Sequence, residues 1–90
     1  MHILLQGQLG ALTNSPIIDY PLVEETTVAD LIQQICKRLP QEAQQLILHS
    51  DGSLRQSLFV AIDDNHLRDL NTLIPPNTKE LILMPPMAGG

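Results

Sequence analysis

Short apolar runs separated by turn residues open the chain and predict two strands. The run at 2–6 ends at Gly7 and predicts a first strand, and the run at 17–22 predicts a second after the turn residues 13–16. Because only ten residues separate the two runs, they should form a hairpin. Pro21 lacks a backbone donor, so the second strand should lie at a sheet edge or end near this residue.

The clearest helical periodicity follows this hairpin. Apolar residues recur at helical spacing and form one stripe, which consists of Val28, Leu31, Ile32, Ile35, Cys36 and Leu39. Thr27 can act as the N-cap, with Asp30 three positions later as its capping-box partner. Pro40 stops the helix, so Lys37 and Arg38 should fall in its last turn, where cations are favoured.

The second half of the chain predicts further strands. Residues 58–62 should form a third strand, 63–66 a turn and 67–70 a short return strand, and the last strand should cover 80–84. Residues 41–47 form either a short second helix or an irregular turn. The order strand, strand, helix and then strands predicts an α+β domain with one helix across one face of the sheet.

One helix would leave an apolar face of the predicted sheet uncovered. Residues 58–62 and 81–84 are apolar at successive positions, so both faces of these strands carry apolar side chains. Because a single helix covers only one face, the other face is a candidate docking surface for a protein partner. The alternative is that residues 41–55 fold over that face and bury it.

Composition and charge limit the class of partner. The 90 residues suffice for one domain, and with 2% aromatic residues its core must be aliphatic. The net charge of −5 disfavours nucleic acid and anionic membranes, and a basic protein surface is the better complement. Asp19, Glu24, Glu25 and Asp30 form either an acidic patch for such a partner or a merely solvated face. With no targeting signal and no apolar run long enough to cross a bilayer, a cytoplasmic location is expected.

Residues that could carry catalysis or bind a metal are few. Cys36 is the single cysteine, which excludes an internal disulfide and fits a reducing compartment, and its place in the apolar stripe predicts a buried structural thiol. His2, His49 and His66 are scattered without metal-ligand spacing, so no metal site is expected. The sequence has no glycine-rich phosphate loop, so any ATP would be bound by a partner rather than by this chain.

The pattern divides the chain into a folded α+β domain, 1–84, and a flexible C-terminal Gly-Gly tail, 85–90. Pro85 and Pro86 fix their φ angles and should hold the start of the tail extended. The remaining residues could then reach on the order of 15 Å beyond the body.

The end of the tail carries the candidate chemistry. Ala88, Gly89 and Gly90 have almost no side-chain bulk, so they could enter a narrow tunnel in another protein. The carboxylate of Gly90 is unreactive until it is activated, which begins with adenylation by ATP. A sulfur or amine nucleophile then displaces AMP, and delivery of sulfur would leave Gly90 as a thiocarboxylate.

The tail also resembles a known family. Residues 84–90, Met-Pro-Pro-Met-Ala-Gly-Gly, resemble the tail of the small, sulfur-carrying subunit of molybdopterin synthase. Residues 27–31, Thr-Val-Ala-Asp-Leu, resemble the helix start of that family and of the thiazole-synthesis sulfur carrier, and residues 5–12 stand at the family's first-strand exit. The resemblance implies the ubiquitin-like β-grasp, a mixed sheet with one main helix packed on one face and an extended C-terminal tail.

The resemblance further implies a carrier subunit of a sulfurtransferase complex that does not catalyse alone. A ubiquitin-activating-like adenylyltransferase would adenylate Gly90, a persulfide donor would convert it to the thiocarboxylate, and the large subunit of molybdopterin synthase would accept the sulfur. Ala88 and Gly89 would allow the tail to pass. The expected partner-binding residues are Met84, Pro85, Pro86, Met87 and Phe59.

Departures from the family pattern leave the receiving pathway open. Gln6 and Gly10 stand where relatives frequently carry an aromatic residue and an arginine. Residues 51–55, Asp-Gly-Ser-Leu-Arg, resemble carriers that feed cysteine synthesis. The alternatives are therefore a sulfur carrier for cysteine or thiamine synthesis, a ubiquitin-like modifier joined to lysines, and an interaction module whose tail is incidental.

Overall fold

The computed structural model describes residues 1–13, 16–22 and 24–85. Over these ranges the chain forms strands and helices in the order β1 (His2–Leu5), α1 (Gln8–Ala11), β2 (Ile17–Asp19), α2 (Val28–Cys36), α3 (Gln41–Ile47), β3 (Phe59–Ile62), β4 (Asn65–Leu67) and β5 (Glu80–Met84). None of the helices in the described part of the chain is long and apolar enough to span a membrane.

The strands form one mixed sheet in the order β2-β1-β5-β3-β4. The central strand β5 is parallel to its neighbour β1, and the other neighbouring strands are antiparallel. The predicted hairpin of β1 and β2 is confirmed, with His2 opposite Asp19 and Leu4 opposite Ile17. β2 lies at the sheet edge and ends before Pro21, as the missing backbone donor predicts.

The aliphatic core lies between one face of this sheet and the helices. Alternate residues of the central strands point into it, for example Leu81 and Leu83 of β5, both fully buried. The predicted stripe of α2 packs against them, and none of its six members is more than 9% exposed. Burying each large aliphatic side chain contributes roughly 1.5–3 kcal/mol, so this stripe holds the helix to the sheet.

The predicted start of α2 is confirmed. The Oγ1 atom of Thr27 accepts a hydrogen bond from the Asp30 N–H group at 3.1 Å, which satisfies one of the free donors of the first turn. Asp30 also lies in the first turn, where a negative charge is favoured by the helix dipole.

The predicted end of α2 was too late. The helix ends at Cys36 and Lys37 is its C-cap, so Lys37 and Arg38 lie beyond the last helical turn. The Arg38 and Leu39 N–H groups bond to carbonyls three residues back, and the helix therefore tightens before Pro40. The physical reason is that a residue before proline is pushed away from helical angles.

The strand predicted at 67–70 was also misplaced. β4 is Asn65–Leu67, because the turn after β3 contains only Asp63 and Asp64. Both turn residues have positive φ, 45° and 71°, as in the tight hairpin turns whose twist matches that of the strands.

Residues 41–47 form a helix, which settles the alternative left open for this segment. Ala43 and Ile47 of α3 are fully buried and belong to the same core as α2. α3 therefore packs on the helical side of the sheet, which contradicts the alternative that residues 41–55 cover the opposite face.

Candidate functional site: the outer sheet face and the tail exit

The face of the sheet away from the helices carries a row of apolar side chains. Strand register places Ile17 opposite Leu4, Leu4 opposite Ile82, and Ile82 opposite Ala61, so the row crosses four strands. Ile17 is 58% exposed, Leu4 and Ile82 are half-buried, and only the small Ala61 is buried. This row is the apolar surface that a docking partner would need.

A second apolar pair extends the row towards the end of β5. Phe59 lies opposite Met84, and both side chains are half-buried. The Phe59 ring stacks on the imidazole of His66, with 4.5 Å between centroids and 20° between planes. We call Leu4, Ile17, Phe59, Ala61, Ile82 and Met84 the outer sheet face. The structure therefore brings together two of the predicted partner-binding residues, Phe59 and Met84.

The tail leaves the domain from the end of the central strand. The Gln6 N–H group donates to the Leu83 carbonyl at 3.0 Å, which closes the pairing of β1 with β5. Met84 and the buried Pro85 then pass beside Gly7, whose φ is +65°. A Cβ placed on Gly7 would lie 3.5 Å from Met84 Cγ and 3.9 Å from Pro85 Cδ. Gly7 thus provides bare backbone where the tail begins.

The sequence pattern did not predict that Gly7 lies beside the start of the tail. The signal available was a glycine directly after an apolar strand, which marks a turn or a close backbone approach. The parallel pairing of β1 with β5 places Leu83 opposite Leu5, and the structure then brings Met84 beside Gly7.

A second glycine near the tail exit explains a departure from the family pattern. A Cβ on Gly10 would lie 2.5 Å from the Leu5 carbonyl oxygen, which is far inside van der Waals contact. α1 therefore packs so closely on the end of β1 that position 10 accepts no side chain without a backbone shift.

The opposite end of the outer sheet face is polar and acidic. His2 pairs in register with both Asp19 and Glu80. The His2 Nδ1 atom lies 3.9 Å from an Asp19 carboxylate oxygen, and both side chains are well exposed, so this contact contributes little stability. A partner that covers the outer sheet face would meet apolar side chains at its centre and carboxylates at this end.

The remaining sequence candidates are structural. Cys36 is 3% exposed, and burial raises the pKa of its thiol to about 11, so at neutral pH it is a protonated core residue and a poor nucleophile. The prediction of a buried structural thiol is confirmed. Within residues 1–13, 16–22 and 24–85, no three His, Cys, Asp or Glu residues come together in a way that could hold a metal ion.

The predicted chemistry of the tail concerns residues that lie outside the described ranges. These are Pro86, Met87, Ala88, Gly89 and Gly90. Their roles in partner binding, passage and sulfur transfer remain predictions. The structure places only the first two residues of the predicted exit, Met84 and Pro85.

The profile of the ThiS family matches residues 17–90, a span from β2 through the end of the sequence. The chain belongs to the ThiS family. This confirms the resemblance found in the tail and in the helix start, and identifies the chain as a ubiquitin-like protein of the sulfur-carrier or modifier type. Members of the ThiS family and related ubiquitin-like carriers generally work with an activating enzyme like that of ubiquitin and with a sulfur-accepting partner.

Solved structures confirm the β-grasp fold. SAMP1 from Haloferax volcanii superimposes with a TM-score of 0.79, covering 99% of this chain and 97% of that chain at 21% identity. A structure of H. volcanii small archaeal modifier protein 1 gives a TM-score of 0.77 over 96% and 95% of the two chains at 20% identity. Urm1 from Sulfolobus solfataricus gives 0.63 over 94% and 99%, also at 20% identity. No curated protein matches the sequence.

Proposed function

We propose that this member of the ThiS family is a sulfur carrier that works through a thiocarboxylate on Gly90. The proposed receiving pathway is molybdopterin synthesis, in which the chain would be the small subunit of molybdopterin synthase. The observation that carries the proposal is the tail exit: the central strand β5 ends at Met84 beside the apolar outer sheet face, and the segment 86–90, which contains Gly89-Gly90, comes directly after Pro85.

The proposed chemistry has two stages. A carboxylate oxygen of Gly90 attacks the α-phosphorus of ATP on the activating enzyme, which releases pyrophosphate and leaves an acyl-adenylate. In the second stage, the outer sulfur of a persulfide donor attacks the acyl carbon and displaces AMP, which leaves an acyl disulfide with the donor. A thiol then attacks the donor's sulfur in this bond, forms a new disulfide with the donor and releases Gly90 as a thiocarboxylate. The chain itself binds no ATP in this scheme, because the nucleotide is held by the activating partner.

The outer sheet face has the properties that such partners require. A partner that covers Ile17 and Ile82 removes apolar surface from water at roughly 25 cal/mol per Å². The same contact would hold Phe59 and Met84, so the domain would be fixed at the root of the tail. Gly89 and Ala88 would then pass through a narrow channel without a side-chain clash.

Other members of this functional class fit the same geometry. A sulfur carrier for cysteine or thiamine synthesis would use the same tail and the same activation, and would differ only in the acceptor enzyme. In a ubiquitin-like modifier, a lysine amine instead of a sulfur would attack the acyl carbon of the adenylate, which forms an isopeptide bond to Gly90 and releases AMP. The structural similarity to a protein described as a small archaeal modifier favours keeping this second candidate.

The intact mass of the protein tests the carrier proposal. Purification from cells that contain the activating enzyme should yield a species whose mass has increased by the exchange of one oxygen for one sulfur. Deletion of Gly90 should abolish this species, whereas Gly52→Asn, a change at an exposed turn glycine, should leave it intact. Absence of the heavier species in the unaltered protein, with the activating enzyme present and active, would refute the sulfur-carrier function.

The acceptor is tested separately. Thiocarboxylated protein mixed with a molybdopterin synthase large subunit and the pterin precursor should form dithiolene. Transfer of the sulfur to a cysteine- or thiamine-synthesis enzyme instead would identify cysteine or thiamine synthesis as the receiving pathway. Gly-Gly remnants on target lysines after proteolysis would identify the modifier.

A further inference from the structure

A second surface lies at the other end of the domain. A groove of about 470 Å³ is walled by the apolar side chains of Leu22, Leu73, Ile74, Pro75 and Pro76. The exposed residues Glu24 and Glu25 complete its lining. We call this the distal groove. Its volume is sufficient to hold one large apolar side chain of a peptide together with its neighbours.

The distal groove and the tail exit lie at opposite ends of the sheet. The tail leaves after Met84, at the carboxyl end of β5, whereas Pro75 and Pro76 come shortly before Glu80, at its beginning. Leu22 follows β2, which ends beside the first residue of β1. At about 3.3 Å per residue, the length of β5 separates the two ends by about 13 Å. Both surfaces can therefore be occupied at the same time.

Backbone hydrogen bonds fix the wall of the groove. The Ile74 N–H group donates to the Thr26 carbonyl at 2.9 Å, and the Val28 N–H group donates to the Thr72 carbonyl at 3.0 Å. These bonds tie the segment that carries Leu73 to the start of α2. Ile74 is 2% exposed and anchors the segment in the core, while Leu73 is 51% exposed. The groove is therefore preformed, with an apolar side chain presented to solvent.

The charged side chains that line the distal groove and the polar groove beside it are all acidic. Glu24 and Glu25 also line a neighbouring polar groove of about 400 Å³, which includes Asp30. No lysine, arginine or histidine is among the residues lining either groove, and within the described ranges no cation lies in salt-bridge distance of these carboxylates. The guanidinium of Arg38 lies 5.4 Å from the ring centroid of Tyr20, which lines the polar groove but not the distal groove. Three carboxylates beside an apolar groove favour a ligand that is both apolar and cationic.

We propose that the distal groove binds a basic peptide segment of a partner protein. An aliphatic or aromatic side chain of that segment enters the distal groove, and an adjacent lysine or arginine pairs with Glu24, Glu25 and Asp30. The partner would bind the carrier at the end of the sheet opposite the tail exit, while the tail and the outer sheet face bind another enzyme. This site does not depend on whether Gly90 carries sulfur.

A peptide titration of the full-length protein tests the proposal. The probe is the capped peptide Lys-Arg-Leu-Phe-Lys, followed by amide chemical shifts. Saturable shifts are expected at Leu22, Leu73 and Ile74, with weaker binding at high salt. The capped peptides Glu-Glu-Leu-Phe-Glu and Lys-Arg-Gly-Gly-Lys, which lack the charge and the apolar anchor respectively, should bind at least tenfold more weakly.

Surface variants test whether the basic peptide binds at the distal groove or elsewhere on the molecule. Leu73→Ser and the double change Glu24→Gln with Glu25→Gln should each weaken binding of the basic peptide at least fivefold, and all three side chains are exposed enough for the fold to persist. Ile17→Ser, a matched change at a similarly exposed residue of the outer sheet face, should leave binding unchanged. The proposal is overturned if shifts map to the outer sheet face, if Ile17→Ser weakens binding as much as Leu73→Ser, or if no saturable binding occurs.

Discussion

Met84 crosses directly over Gly7 at the point where the last strand leaves the sheet. A Cβ on Gly7 would lie 3.5 Å from Met84 Cγ and 3.9 Å from its Sδ atom, and Gly7 itself has a φ of +65°. The Gln6–Leu83 hydrogen bond holds the two segments together just before this crossing. The direction in which the tail starts is thus set by a residue near the beginning of the chain.

Gly7→Ala should destabilise the domain and change the surroundings of the Met84 side chain. The combination of φ +65° and ψ −143° is one that only glycine adopts readily, so alanine should cost about 1–3 kcal/mol. Urea denaturation measures the loss of unfolding free energy. The methyl resonance of Met84 should shift at the same time, because the new Cβ contacts this side chain.

Gly52→Ala is the matched control for this change. Gly52 also has a positive φ, +89°, but a Cβ there would have no atom within 4 Å. Gly52→Ala should share the backbone cost and leave the Met84 resonance unchanged. If Gly7→Ala leaves the Met84 resonance where it was, Gly7 does not set the path of the tail.

Asp63 should stabilise the junction between β3 and β5 through its carboxylate. Its Oδ1 atom accepts from the Glu80 N–H group at 3.0 Å and from the Lys79 N–H group at 3.2 Å. Asp63→Ala removes an acceptor from two backbone donors, so we expect a loss of about 1–3 kcal/mol in unfolding free energy. Thermal or urea denaturation provides the measurement.

Asp64→Ala is the control that separates the effect of the Asp63 carboxylate from the effect of backbone strain in this turn. Asp63 and Asp64 both have positive φ, 45° and 71°, so alanine is strained at either position. Only Asp63 bonds to the start of β5 through its side chain. Asp63→Ala should therefore be the more damaging change, and equal losses would mean that its carboxylate contributes nothing.

Cys36 should make the domain less stable in alkaline solution. Burial raises the pKa of its thiol from 9.0 to about 11, so between these values the unfolded chain has lost a proton that the folded chain retains. Because stability falls with rising pH wherever the folded state binds more protons, the unfolding free energy should decrease from pH 9 towards pH 11. Well below pH 9 the thiol is protonated in both states and should contribute no pH dependence.

The variant Cys36→Ala isolates this contribution. It should be less stable overall, since it loses packing in the core, yet its unfolding free energy should fall less steeply over the alkaline range. Urea titrations at several pH values compare the two slopes. Parallel slopes would show that Cys36 does not titrate differently in the folded protein.

Elements with a repeated local pattern were predictable from the sequence. The stripe of α2 spans three turns and the β1–β2 hairpin is bounded by glycine and proline, so each element carries several concordant signals. The helix α1 was missed because it has only four residues, of which Leu9 alone is buried, and one apolar residue defines no period. β4 was predicted at the wrong residues because its three residues contribute only Leu67 to the core.

The surfaces were harder to predict because they combine distant parts of the chain. The apolar character of the outer sheet face follows from strands that are apolar at successive positions, and the sequence indicated it. The distal groove joins the segment after β2 to residues 73–76, which are brought together by hydrogen bonds such as that between Ile74 and Thr26. No local pattern records such a contact.

A charge on the outer sheet face should block activation without unfolding the domain. Ile17 is 58% exposed, so Ile17→Asp should change the unfolding free energy by no more than about 1 kcal/mol. In a complex, the carboxylate would be buried against an apolar partner, and loss of one partner contact of this kind is expected to weaken activation tenfold or more. Pyrophosphate exchange by the activating enzyme gives the measurement.

Leu73→Asp is the control that separates contact from overall charge. Leu73 is 51% exposed, and the change adds the same negative charge to a chain already at −5 but places it at the distal groove. If long-range repulsion from an acidic partner slowed activation, both variants would be affected equally. If the activating enzyme docks on the outer sheet face, Ile17→Asp alone should be slow, because only that carboxylate would lose its water in the complex.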